Sequence, residues 1–207
     1  MLSAAFLVFL ASVGLLVVRN VKYSVLLLSV EGFALGVMVW LSGDLTLEIV
    51  AIGLATLAVK AIIIPRIMLH VVEGWPLEYR RDGSLPIWAY ASGVALLLTV
   101  THVIKVLSPT GIVLHPALFF YGLASVYLSL LQIVSRRHVL SQVGSLIAAE
   151  NAFVILAASV AEHLPMFMEF GMLVDMLIAA IIMLWMSKLV HGHFKTTDVT
   201  AMRFLRR

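Results

Sequence analysis

Apolar residues run along this chain in blocks of about 20, the length that crosses a hydrocarbon core of about 30 Å. Short polar or basic turns separate the blocks. Seven transmembrane helices are predicted, over Leu2–Val18, Tyr23–Leu41, Leu45–Leu69, Pro86–Leu107, Pro116–Val134, Val139–Ala161 and Pro165–Leu189. Breakers such as Ser42-Gly43-Asp44, Asp82-Gly83-Ser84, Ser108-Pro109-Thr110-Gly111 and His163-Leu164-Pro165 fall between them. The pattern therefore predicts an all-α, polytopic membrane protein. Met1 to Val18 has no basic leader and no small-residue cleavage site, which fits a retained first span.

Basic residues give the orientation. Arg19, Lys22, Arg66, Arg80, Arg81, Arg136, Arg137, Lys188, Lys195, Arg203, Arg206 and Arg207 all fall on one side of the seven-span arrangement, 12 of the 14 basic residues. Lys105 falls on the other side, and Lys60 lies within a span. The positive-inside rule then puts the N-terminus outside and the C-terminus in the cytoplasm. Trp40, Trp75, Trp88 and Trp185 fall near predicted span ends, where an interfacial aromatic belt lies.

The rhythm repeats. Leu15 to Trp40 and Leu131 to Val160 each run from a span end through a basic turn into a span with a central glutamate. The next span in each half carries a second ionisable group, Lys60 or Asp175. We therefore expect two parallel three-helix units, residues 1–70 and 115–192. A loop and connecting span at 71–114 would join them, and 193–207 would form a basic cytoplasmic tail. Parallel repeats are a transporter arrangement that places functional groups at mid-membrane depth. Chance similarity between apolar spans with basic turns is the alternative.

Composition narrows the chemistry. The chain is 62% hydrophobic and 12% charged, against about 25% charged in soluble domains. The net charge of +3 follows from the span ends and gives no reason to expect nucleic acid. With no cysteine there is no thiolate zinc site and no ordinary iron–sulfur ligation. No nucleotide-binding loop, zinc-protease motif or catalytic triad stands out, so nothing points to catalysis by this chain alone. His191 and His193 are two apart, on different helix faces, and a metal site there is disfavoured.

Four spans carry single ionisable residues near their middles: Glu31, Lys60, Glu150 and Asp175. A charge at the bilayer centre costs about 2.5–3.5 kcal/mol on insertion scales, and such residues usually pair or line an ion path. Burial disfavours the ionised form of a carboxyl, which brings such a group within reach of proton exchange at cellular pH. Lys60 needs a carboxylate partner to stay charged when desolvated. Pro65, five residues on, would free the carbonyl of Ala61 as a hydrogen-bond acceptor. Glu31 precedes Gly32, so close helix packing competes with an ion-path role. Glu169 near the outer end of the last span is either a proton-exchange group or a solvated span-end carboxylate. His102, His115 and His163 are read mainly as packing histidines.

At these residues the chain resembles a known family. Arg136-Arg137, Glu150, Asp175 and the tail Thr197 to Arg203 are similar to the membrane subunit K of bacterial respiratory complex I. The whole chain resembles hydrogenase-4 component E of energy-converting [NiFe]-hydrogenase membrane arms. That match is carried by Val59 to Pro65, Ile133 to Arg137, Glu150-Asn151, and Glu169-Phe170-Gly171 followed by Asp175. Asp175 stands where subunit K has Glu, and Glu150 lies about one helical turn deeper than its counterpart. The resemblance implies a non-catalytic subunit among antiporter-like neighbours and a hydrophilic redox module, in the lipid bilayer. The [NiFe] centre and iron–sulfur clusters would belong to those partners, with no cofactor in this chain. Glu31, Lys60, Glu150, Asp175 and Glu169 would supply a proton or sodium path. The rival readings are a free-standing seven-helix transporter or receptor, and an assembly scaffold whose charges only specify helix partners.

Overall fold

The computed structural model describes residues 1–41, 47–73, 82, 87–107, 109 and 115–160, together with 174, 177, 181 and 185. These residues are helical apart from short turns. In chain order the helices are α1 (Leu2–Val17), α2 (Val21–Trp40), α3 (Leu47–Thr56), a π-helical stretch (Leu57–Ile63), α4 (Ile64–Glu73), α5 (Ile87–Leu107), α6 (Pro116–Ser135) and α7 (Val139–Val160). The segments from α3 to α4 form one unbroken rod, so the described residues make six helical stretches. Four of them are long and apolar enough to cross a membrane: α2, Ile49–Glu73, α6 and α7. At 16 residues α1 is shorter, and α5 has 21 residues. The seventh predicted span lies outside the described residues except for 174, 177, 181 and 185, which are helical.

The third helix runs one turn beyond the predicted Leu69, and Pro65 does not end it. The reason is local. Pro65 follows directly on the π-helical stretch inside the rod, so its missing N–H leaves a carbonyl one turn back in need of another donor. Just upstream, the Ile64 N–H reaches the carbonyl of Val59, five residues back. The Ala61 carbonyl, four residues before the proline, accepts a hydrogen bond from the Ser29 hydroxyl of α2 instead.

Both basic turns are built alike. Asn20 caps α2 by accepting the Lys22 N–H at 3.0 Å, and His138 Nδ1 accepts the Leu140 N–H at 3.3 Å at the start of α7. In each case a side-chain acceptor satisfies an N–H that the helix start leaves open. Between them, Arg136 is buried and its Nη2 donates to the carbonyls of Leu15, Leu16 and Val18 at 3.0, 2.7 and 2.7 Å. A guanidinium thus closes the C-terminus of α1, where carbonyls and helix dipole favour a cation. Asp82 joins the same knot. Its N–H donates to the Arg19 carbonyl at 2.7 Å, and its Oδ2 lies 3.9 Å from Arg136 Nη1.

Among the described residues, three apolar cores hold the helices. Near the basic turns, Val21, Val25 and Leu28 of α2 meet Ile64, Met68 and Val72 of α4 and Leu140, Val143 and Ile147 of α7. At the opposite end, Ala5 and Val8 pack with Leu35 and Met38, Leu118 and Ile155. Leu16, Leu96, Val100 and Leu128 bind α5 to α1 and α6. Two contacts are backbone-close. A Cβ added at Gly32 would lie 2.5 Å from the carbonyl carbon of Lys60, and one at Gly122 would lie 2.7 Å from the Leu156 nitrogen. The outer faces carry exposed Phe6, Leu26, Phe33, Ile62, Leu98, Val134 and Phe153, while Ser12, Glu31, Lys60 and Asn151 are buried inside. That inversion suits a surface solvated by lipid.

Candidate ion-path site

Between the core near the basic turns and the core at the far end lies a polar layer. Glu31 is the eleventh residue of α2, about 15 Å along a helix that spans about 30 Å. It is fully buried. Its Oε1 accepts the Ser12 hydroxyl of α1 at 2.8 Å, and its Oε2 accepts the Asn151 amide of α7 at 3.4 Å. One carboxylate therefore ties three helices.

Lys60 comes from the middle of the π-helical stretch and is 4% exposed. Its ammonium donates to Glu150 Oε1 at 2.8 Å, with the Glu150 side chain 22% exposed. The π-helical turn holds one residue more than an α turn, and such turns recur at functional sites. Here Gly32 allows α2 to lie directly against the Lys60 backbone. Lys60 also acts electrostatically on Glu31. α7 presents Glu150 to the lysine and its neighbour Asn151 to Glu31, so successive residues serve the two halves of one cluster.

Three of the five residues predicted as an ion path are thus brought together: Glu31, Lys60 and Glu150. Asp175 and Glu169 lie outside the described residues, as do His163, His191 and His193. His102 and His115 are exposed, on α5 and at the start of α6.

The chain is distantly similar to hydrogenase-4 component E. It is 27% identical to the Escherichia coli K12 protein of that name over 149 residues, 70% of this chain and 68% of that protein. The Shigella flexneri protein of the same name gives the same figures. An uncharacterised protein of Mycobacterium tuberculosis is 25% identical over 203 residues, 95% of this chain and 91% of that one. No family model matches the chain, and no solved structure matches it. Among the described residues, no three His, Asp or Glu side chains converge as metal ligands would.

Sequence reasoning gave no structural role to Ser12, Gln132, Ser145 or Asn151, and read Arg136 as a topology signal and a mark of the family resemblance. Serine is frequent in these spans and does not stand out. Gln132 and Asn151 are rare residue types in this chain, and an amide inside an apolar span is itself a signal of an interhelical hydrogen bond. Gln132 is 2% exposed and bridges helices: its Nε2 donates to the Ser12 carbonyl at 3.1 Å, and its Oε1 accepts the Ser145 hydroxyl at 3.2 Å.

Proposed function

We propose that this chain is a membrane-arm subunit of a complex-I-related hydrogenase or oxidoreductase. In this reading Glu31, Lys60 and Glu150, with Asp175 and Glu169, contribute to a proton or sodium path driven by electron transfer in partner subunits. The observation that carries it is the Lys60–Glu150 pair at 2.8 Å beside Glu31, at the middle depth of apolar helices. Two carboxylates and one ammonium sum to one negative charge, so in a low dielectric the cluster favours uptake of one cation. A proton is the simplest such cation. Its arrival at either glutamate changes which carboxylate the lysine serves, which is what passing a charge sideways between helices requires.

Similarity to hydrogenase-4 component E and four membrane-length helices support a subunit of a multi-protein membrane assembly. The metal centres would reside in its partners, a redox module and antiporter-like subunits. The matching caps of α2 and α7 support two parallel three-helix units, with the basic turns facing the cytoplasm and the N-terminus outside. The scaffold reading draws on the two donors that satisfy Glu31 and on the close approach at Gly32.

Glu150→Gln and Asp175→Asn, in the purified assembly and in inverted vesicles, separate the two. Both variants should assemble and pass electrons while acidification of the vesicle lumen is lost. Normal ion movement in the double variant would leave only the scaffold.

A further inference from the structure

A small cavity lies inside the bundle at the end that carries the basic turns, lined in part by Ser24, Met68, Gln132, Arg136, Ser141 and Gly144. It has room for about one water. Polar groups from α2, α6 and α7 border it, so a water there finds the partners it needs. The cavity does not touch Glu31 directly. Gln132 lies between, bordering the cavity and donating to the Ser12 carbonyl at 3.1 Å. The Ser12 hydroxyl in turn donates to Glu31 Oε1 at 2.8 Å.

We infer that this cavity is the mouth through which Glu31 exchanges protons with the basic-turn side, and that Gln132 is the positioning residue that gates it. The inference rests on the proton-carrying reading of Glu31. The step balances simply. The Ser12 O–H proton moves to Oε1 of the Glu31 carboxylate, the Ser12 oxygen takes a proton from an adjacent water, and that water is reprotonated from the bulk. An amide does not exchange protons this way at neutral pH, so water reaches Ser12 only when Gln132 turns aside. Ser145, whose single hydroxyl proton is shared between the Ser141 carbonyl at 2.7 Å and Gln132 Oε1 at 3.2 Å, helps to hold the amide in its closed position.

Gly144 offers a clean test. A Cβ there meets only the Met68 methyl at 3.7 Å, an ordinary contact, so Gly144→Ala narrows the cavity without disturbing the helices. The full chain would be reconstituted in oriented proteoliposomes, and the pH dropped on the side carrying Arg136. Protonation of Glu31 is then followed by time-resolved infrared absorption of its carboxyl band, assigned by its loss in Glu31→Gln. Gly144→Ala should slow protonation by about tenfold or more. Gln132→Leu loses both bonds that hold the gate closed and should speed it, with Ser125→Ala unchanged. If Gln132→Leu fails to fold, Gly144→Ala decides alone. Wild-type protonation rates in the cavity variants would overturn the route, even where Glu150→Gln still abolishes ion movement. Slowed protonation in Gly144→Ala would support it, including in an assembly whose ion movement survives Glu150→Gln, which would instead remove the function proposed above.

Discussion

Two buried cations in this protein live very different lives. Arg136, at the basic turn, is bound by three main-chain carbonyls within 3.0 Å and lies 3.9 Å from Asp82. Lys60, at mid-depth, holds the Glu150 carboxylate at 2.8 Å and lies in the field of Glu31. The first charge is held chiefly by three helix-end carbonyls that cannot change their state, with the Asp82 carboxylate farther off. The second is balanced by groups that can gain or lose a proton. Burial alone therefore does not mark an ion-path residue; what matters is whether the groups in direct hydrogen-bond contact with it titrate.

The largest effect should follow from unbalancing the titrating pair. Lys60→Met leaves two carboxylates without their ammonium, and breaking a buried pair from one side costs about 3–5 kcal/mol. Thermal unfolding in mild detergent should show that loss. The double variant Lys60→Met/Glu150→Gln should recover most of it, because it removes both members of the bonded pair.

At the fixed cation, Arg136→Met strands the carbonyls of Leu15, Leu16 and Val18 and should cost about 1–3 kcal/mol. Assembly yield should fall, but ion movement per electron in the assembled fraction should stay near wild type. A selective loss of ion movement would erase the distinction between the two sites. Gly32→Ala pushes α2 against the Lys60 carbonyl and should cost about 1–3 kcal/mol by overpacking. Unlike Arg136→Met it should also impair ion movement, because it displaces the π-helical turn. The smallest effect belongs to Asn20→Ala, which removes a helix cap worth about 1 kcal/mol and should leave ion movement untouched in the same vesicle assay.

The same comparison explains what the sequence made legible. Glu31, Lys60 and Glu150 stand out because a lone charge in an apolar run needs a reason. The helices follow from run length, and α2, α6 and α7 lie within a few residues of their predicted bounds. That Lys60 bonds Glu150 of the other half depends on rotation about helix axes, which apolar runs leave open. The π-helical turn has no sequence mark beyond Pro65, whose freed Ala61 carbonyl was foreseeable while its Ser29 partner was not. Arg136 was legible as a positive turn residue but not as a buried plug for α1, since a topology rule counts charges without asking what they touch. The partners of Ser12, Asn151 and Gln132 emerge only from how the helices meet.

The most direct measurement is ion movement per electron pair in the Lys60→Met/Glu150→Gln assembly, reconstituted in vesicles. This variant removes the ammonium and its bonded carboxylate together, so electron transfer and assembly should persist while ion movement disappears. Ion movement at the wild-type ratio would contradict the account and reduce the mid-depth charges to packing.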